Sequence, residues 1–70
     1  MITKDGQKII KYLFIDHCAE GLGFTEATEN EEIIGRIDDY GTYIEHIRIS
    51  DKATLRTVNV IDVSEIIFIE

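Results

Sequence analysis

Seventy residues allow one domain, 1–70, with a core that buries only about 60% of the surface its unfolded chain exposes. Fourteen acidic against seven basic side chains leave a formal charge of −7 and a pI near 4.6, which counts against phosphate backbones and anionic membranes as partners. Cys18 is the only cysteine, which excludes an intrachain disulfide and suits a reducing, cytoplasmic setting better than a secreted one.

The first element lies within residues 1–20 and has two readings. As a helix capped by Thr3 or Asp5, it places Ile9, Ile10, Leu13, Phe14, His17 and Cys18 on one face at 3.6-residue spacing. Gly21 and Gly23 then follow its last turn, where a helix end favours glycine. As a strand, it follows an Asp5–Gly6 hairpin turn and runs from Lys8 to Asp16. The run IIKYLFI is rich in strand formers but does not alternate cleanly, and the helix is the preferred reading. Cys18 is expected to pack on the inner face of this element, beside Phe14.

Residues 22–70 read as five strands. Leu22 to Thr28 is the first, with Leu22, Phe24 and Glu26 sharing a parity. Glu29, Asn30, Glu31 and Glu32 form a solvated turn; the other use of such a run is an acidic patch for a basic protein partner. Ile33 to Ser50 is the clearest stretch, two strands meeting at a turn. Ile33, Gly35 and Ile37 alternate with Glu32, Ile34 and Arg36. After the turn Tyr43, Ile47 and Ile49 share one parity, and Ile44, His46 and Arg48 the other. Asp38, Asp39, Tyr40, Gly41 and Thr42 carry the bend, the aspartates by bonding nearby amides and Gly41 by its freedom in φ.

Gly35, inside a strand, predicts a bulge or sharp bend that curls the sheet. Ala53 to Val63 switches parity twice, which predicts irregularities near Thr57 and near Ile61. Ser64 and Glu65 separate it from the last strand, where Ile66, Ile67, Phe68 and Ile69 are apolar on both faces. A terminal strand of that kind must be covered on both sides or lie at an interface. These four residues are the expected homo-oligomer interface, and Ile67→Lys is expected to weaken assembly more than Ile34→Lys.

No set of residues spells out a reaction. Asp38 and Asp39 are carboxylate neighbours, but adjacent strand residues face opposite ways and turn aspartates usually cap amides. His17, Cys18 and His46 are metal-binding types without a ligand spacing; a packed cysteine and partly exposed histidines are the plainer reading. Gly21-x-Gly23 lacks the lysine and hydroxyl residue of a phosphate loop. Tyr12, Tyr40 and Tyr43 have faces on which bases stack, but without adjacent cations they read as core or interface aromatics. The sequence therefore predicts no catalytic residue, no cofactor and no metal. With no long apolar segment, neither a transmembrane helix nor a signal peptide is expected.

The hairpin and tail resemble the Sm-like family, of LSm and Hfq type. In IDDYGTYIE, residues 37–45, Ile37, Asp38, Tyr40 and Thr42 fill the apolar, aspartate, aromatic and polar places of the first Sm motif. The closing VSEIIFIE, residues 63–70, is similar to the last strand of the second. The resemblance implies a mainly β fold, a short N-terminal helix and then a strongly bent five-stranded antiparallel barrel. It implies RNA or ligand contacts at Asp38, Tyr40 and Thr42, which Arg36 and Arg48 would join if the cations converge on one face. Three features depart from the family. Gly35 lies closer to Asp38 than the family's glycine lies to its aspartate, Thr42 replaces an asparagine-like residue, and Val60, Ile61 and Asp62 replace a basic, histidine-bearing segment. Small bent barrels of the Src-homology type share the same loose pattern. The leading expectation is a non-enzymatic, oligomeric binding or assembly module. An RNA-binding ring and an acidic inhibitor that mimics nucleic acid are the alternatives.

Overall fold

The computed structural model describes residues 1–69; Glu70, which ends the tail motif, lies outside the described residues. Asp5 and Gly6 turn the chain into the first strand, and Gly6 takes a φ of 89°, where a Cβ would be strained. Strand β1 (Gln7–Asp16) turns into β2 (Gly21–Glu26), and β3 (Glu31–Asp38) turns into β4 (Gly41–Arg48). Strand β5 (Thr54–Asn59) leads through a 3₁₀ turn at Val60–Asp62 into β6 (Val63–Phe68).

All pairings are antiparallel, and β1 is the hub. Tyr12 and Leu13 pair with both β2 and β6, so these two strands lie on opposite edges of β1. Ile9 pairs with both β3 and β6, so β3 follows β2 along the same edge. The sheet continues from β3 to β4 to β5, and β5 is not paired with β6. The result is a curled, open half-barrel.

The N-terminal segment is thus a strand, not the helix preferred from its sequence, and no α-helix occurs among the described residues. The reason is a bulge. Ile9 pairs with Phe68 and Lys11 with Ile67, which leaves Ile10 as an extra residue. The buried positions therefore step from Ile9 to Tyr12, three residues apart, and so copy helical spacing. A second bulge places Ser64 within β6, between the pairs Leu13–Glu65 and Phe14–Val63, rather than in a separating loop.

The concave side buries Ile2, Ile9, Tyr12, Ile33 and Ile44, with Phe14, Val58, Val63, Ile66 and Phe68 packed against them. Gly35 lies in regular pairing with Ile44, without the expected bulge. Its missing side chain instead makes room for Ile2: a Cβ there would stand 2.8 Å from Ile2 Cγ1. Gly23 plays the same part under Phe14, whose Cζ would stand 2.6 Å from an added Cβ. The irregularity expected near Ile61 is the 3₁₀ turn, which the Asn59 side chain caps by accepting from the Ile61 N–H at 3.0 Å. The other falls at Leu55, between the pairs His46–Arg56 and Ile47–Thr54, rather than at Thr57. Glu31 and Glu32 open β3 instead of extending the preceding turn.

Candidate functional site

The β3–β4 turn brings together three of the residues singled out from sequence. Asp38, Tyr40 and Thr42 stand with Tyr43 and Asn59 around a hollow of about 610 Å³ beside β5. Asp38 shapes the turn: its Oδ1 accepts from the backbone N–H of Tyr40 at 2.8 Å and of Gly41 at 3.1 Å. Tyr40 is 99% exposed and so is not a core aromatic, whereas Tyr12 is one.

The two arginines lie elsewhere and are occupied. Arg36 Nε stands 3.4 Å from Asp5 and 3.7 Å from Glu45. Arg48, at the far end of β4, reaches Asp51 at 3.0 Å. The Ala53 N–H, followed by the Arg48 guanidinium, holds the Asp51 carboxyl below its ordinary range. Lys8 and Lys52 both reach Glu32, and the hydrogen bond from Lys8 leads in lowering that carboxyl's pKa. Each of these cations is thus engaged by at least one carboxylate, and Arg36 and Arg48 do not meet at one site.

The apolar tail strand divides between two sides. Ile66 and Phe68 pack on the core, while Ile67 and Ile69 lie on the outside. Across β1, Ile67 opposes Lys11 and Glu65 opposes Leu13; on the other edge Leu13 opposes Phe24 and Ile15 opposes Leu22. Directly opposed residues share a face of a sheet. Ile67, Leu13, Ile15, Phe24 and Leu22 therefore form an outward apolar strip over three strands, with Leu22 68% and Phe24 62% exposed. Lys11 Nζ lies over the Phe24 ring, 4.7 Å from its centroid. The β1 and β2 members of this strip escaped the sequence reading because the bulge at Ile10 hides which parity of β1 faces out.

The opposite, concave side opens as a mouth between the β1–β2 hairpin and β5. Tyr12, Phe14, Thr25 and Val58 line a cavity of about 230 Å³ there, together with Arg56, Asp62 and Ile15, which ends the outward strip and also borders this opening. At its base the Tyr12 hydroxyl lies 2.8 Å from His46 Nε2, and both residues are only 2% exposed. Burial, helped by the nearby Arg56 charge and opposed by Glu31, lowers the pKa of His46. His46 is therefore a buried hydrogen-bonding partner, not the partly exposed side chain expected. It alternates with Ile44, and that shared parity is the signal that would have placed it inside.

Cys18 is exposed in the β1–β2 turn, which corrects the expectation that it packs beside Phe14. Asp16 sets that turn by accepting from the N–H groups of Cys18 and Ala19 at 3.0 and 3.1 Å. His17 is also exposed and reaches Asp62 at 3.3 Å. Among the described residues no three His, Cys, Asp or Glu side chains stand where they could hold a metal ion, and no helix is long and apolar enough to cross a membrane. No protein-family model, curated protein or solved structure matches the chain.

Proposed function

We propose that this chain is a non-enzymatic small-barrel module of Sm-like kind, whose role is assembly with copies of itself and binding through the assembled form. The outward apolar strip on β6, β1 and β2 is the observation that carries this reading. A domain this small has little core to spare, yet Leu22, Phe24 and Ile67 stay in water in a single chain. Among the described residues, strands β2, β5 and β6 each keep one unpaired edge. Unpaired edges are templates for another strand. Strand β6 of one copy on β5 of the next makes a head-to-tail contact, which gives a ring if the rotation closes.

Size-exclusion chromatography of two variants tests the role of β6. Ile67→Lys is expected to shift the protein to smaller species, whereas Ile34→Lys, on β3, leaves the elution volume unchanged. Equal effects of the two substitutions contradict the reading. An RNA-binding ring is the second reading, favoured by the gathering of Asp38, Tyr40 and Thr42 at one hollow. It ranks lower because Arg36 and Arg48 stand apart and are held by carboxylates.

A further inference from the structure

The proposed function gives no role to the mouth on the concave side, one wall of which is β5. The walls of that mouth are apolar, from Tyr12, Phe14 and Val58, and its rim carries one cation and one anion. Arg56 and Asp62 are not bonded to each other. Arg56 has no carboxylate within ion-pair reach among the described residues, unlike Arg36 and Arg48. Asp62 is engaged through Oδ1 alone, by the exposed His17 ring. The two larger hollows lack this combination. In one, Asp38 is spent on its own turn, and in the other Arg48 is held by Asp51.

We propose that the mouth binds a free α-amino acid with an apolar side chain, as the zwitterion. Its carboxylate pairs with Arg56, its ammonium with the open oxygen of Asp62, and its side chain rests against Tyr12, Phe14 and Val58. Size sets the first limit. The 230 Å³ cavity is larger than the ~150 Å³ that admits a benzene ring and smaller than the ~300 Å³ typical of drug-sized ligands. It therefore takes one branched or aromatic side chain with its backbone atoms. Charge sets the second. A ligand with only a carboxylate sets a like charge against Asp62, and one with only an amine sets a like charge against Arg56. A zwitterion satisfies both and, carrying no net charge, meets no long-range repulsion from a chain at −7. Every residue of the site belongs to one chain, so the proposal does not require assembly.

The test is a titration of the ¹⁵N-labelled 70-residue chain followed by NMR, with three probes: L-phenylalanine, 3-phenylpropionate and phenethylamine. L-Phenylalanine is expected to give saturable shifts centred on Tyr12, Phe14, Arg56 and Val58, and to bind about tenfold more tightly than either analogue, the effect of one charged hydrogen bond. Arg56→Gln should bring L-phenylalanine down to the affinity of the amine, and Asp62→Asn down to that of the acid. Both substitutions lie on the rim, and the three-probe comparison on the native chain needs neither. Equal affinity for all three probes would overturn the proposal. So would shifts lying outside the mouth, or no saturation up to about 10 mM ligand.

Discussion

Replacing Tyr12 with phenylalanine removes one oxygen and leaves His46 Nε2 without its 2.8 Å partner, in a place where both residues are sealed from solvent. A buried polar group left unpaired costs about 1–3 kcal/mol. A 70-residue domain has about 4–10 kcal/mol of stability in all, so the loss is a large share of it. At about 4–8 °C per kcal/mol for a domain of this size, a 2 kcal/mol loss lowers the Tm by roughly 8–16 °C. The same pair governs the response to acid. Burial holds the pKa of folded His46 below its ordinary 6.5, so the unfolded chain takes up a proton more readily than the folded one. The contribution is complete above that value and is lost as pH falls below it, at no more than about 1.4 kcal/mol per pH unit. Glu32, also lowered, adds a further loss only below its ordinary 4.5. The interval between those two values therefore belongs to His46. Urea melts at about pH 7.5 and about pH 5.5 give the measurement. The native chain loses stability on acidification, and His46→Gln, a neutral side chain able to hydrogen-bond the phenol, flattens that loss. A His46→Gln chain with the native acid sensitivity, or a Tyr12→Phe chain as stable as the native one, would refute this reasoning.

Gly23→Ala is expected to cost about 1–3 kcal/mol in a urea melt, because the added Cβ meets the Phe14 ring at 2.6 Å. Gly6→Ala meets no atom and should cost only about 1 kcal/mol, through its φ of 89°. Cys18, exposed in its turn, should react with a thiol reagent in the native protein at the rate of the unfolded chain. Single-stranded RNA and duplex DNA are expected not to bind at micromolar protein in physiological salt, because Arg36 and Arg48 are already paired and the chain carries −7. Filter binding with uridine-rich, adenosine-rich and mixed probes checks this. Salt-sensitive retention lost in Arg36→Glu or Arg48→Glu would promote the RNA-binding reading.

The central hairpin was legible in the sequence because nothing interrupts its alternation. Residues 31–38 pair one-to-one with 41–48 in the structure, about a turn whose aspartate and glycine announce it. The other strands after residue 20 were legible from their runs of strand formers between turn residues, although Ala53 to Val63 and the tail do not alternate cleanly. The first strand was not, because the bulge at Ile10 turns a period of two into a step of three. That error carried Cys18 inward with the false helix face and concealed the outward set of Leu13, Ile15, Leu22 and Phe24. Gly35 was correctly singled out as special, but its role depends on Ile2, 33 residues earlier in the chain. Of the candidate contact residues, Asp38, Tyr40 and Thr42 are neighbours in one turn and so stay together in any fold. Arg36 and Arg48 are separated by the hairpin's own length, and their acidic partners Asp5, Glu45 and Asp51 come from three different segments. The mouth was illegible for a related reason, since it joins β1, β2, β5 and the 3₁₀ turn, which only the curl of the sheet brings together.

Self-assembly through the β6 side of the sheet is the claim on which the functional reading depends. Sedimentation equilibrium of the native chain at micromolar concentration, with Phe24→Ser and Ile67→Lys run beside it, tests that claim most directly. The native chain is expected at a whole-number multiple of 8.0 kDa, and both variants at lower mass. A native chain that stays at 8.0 kDa throughout the concentration range would contradict it.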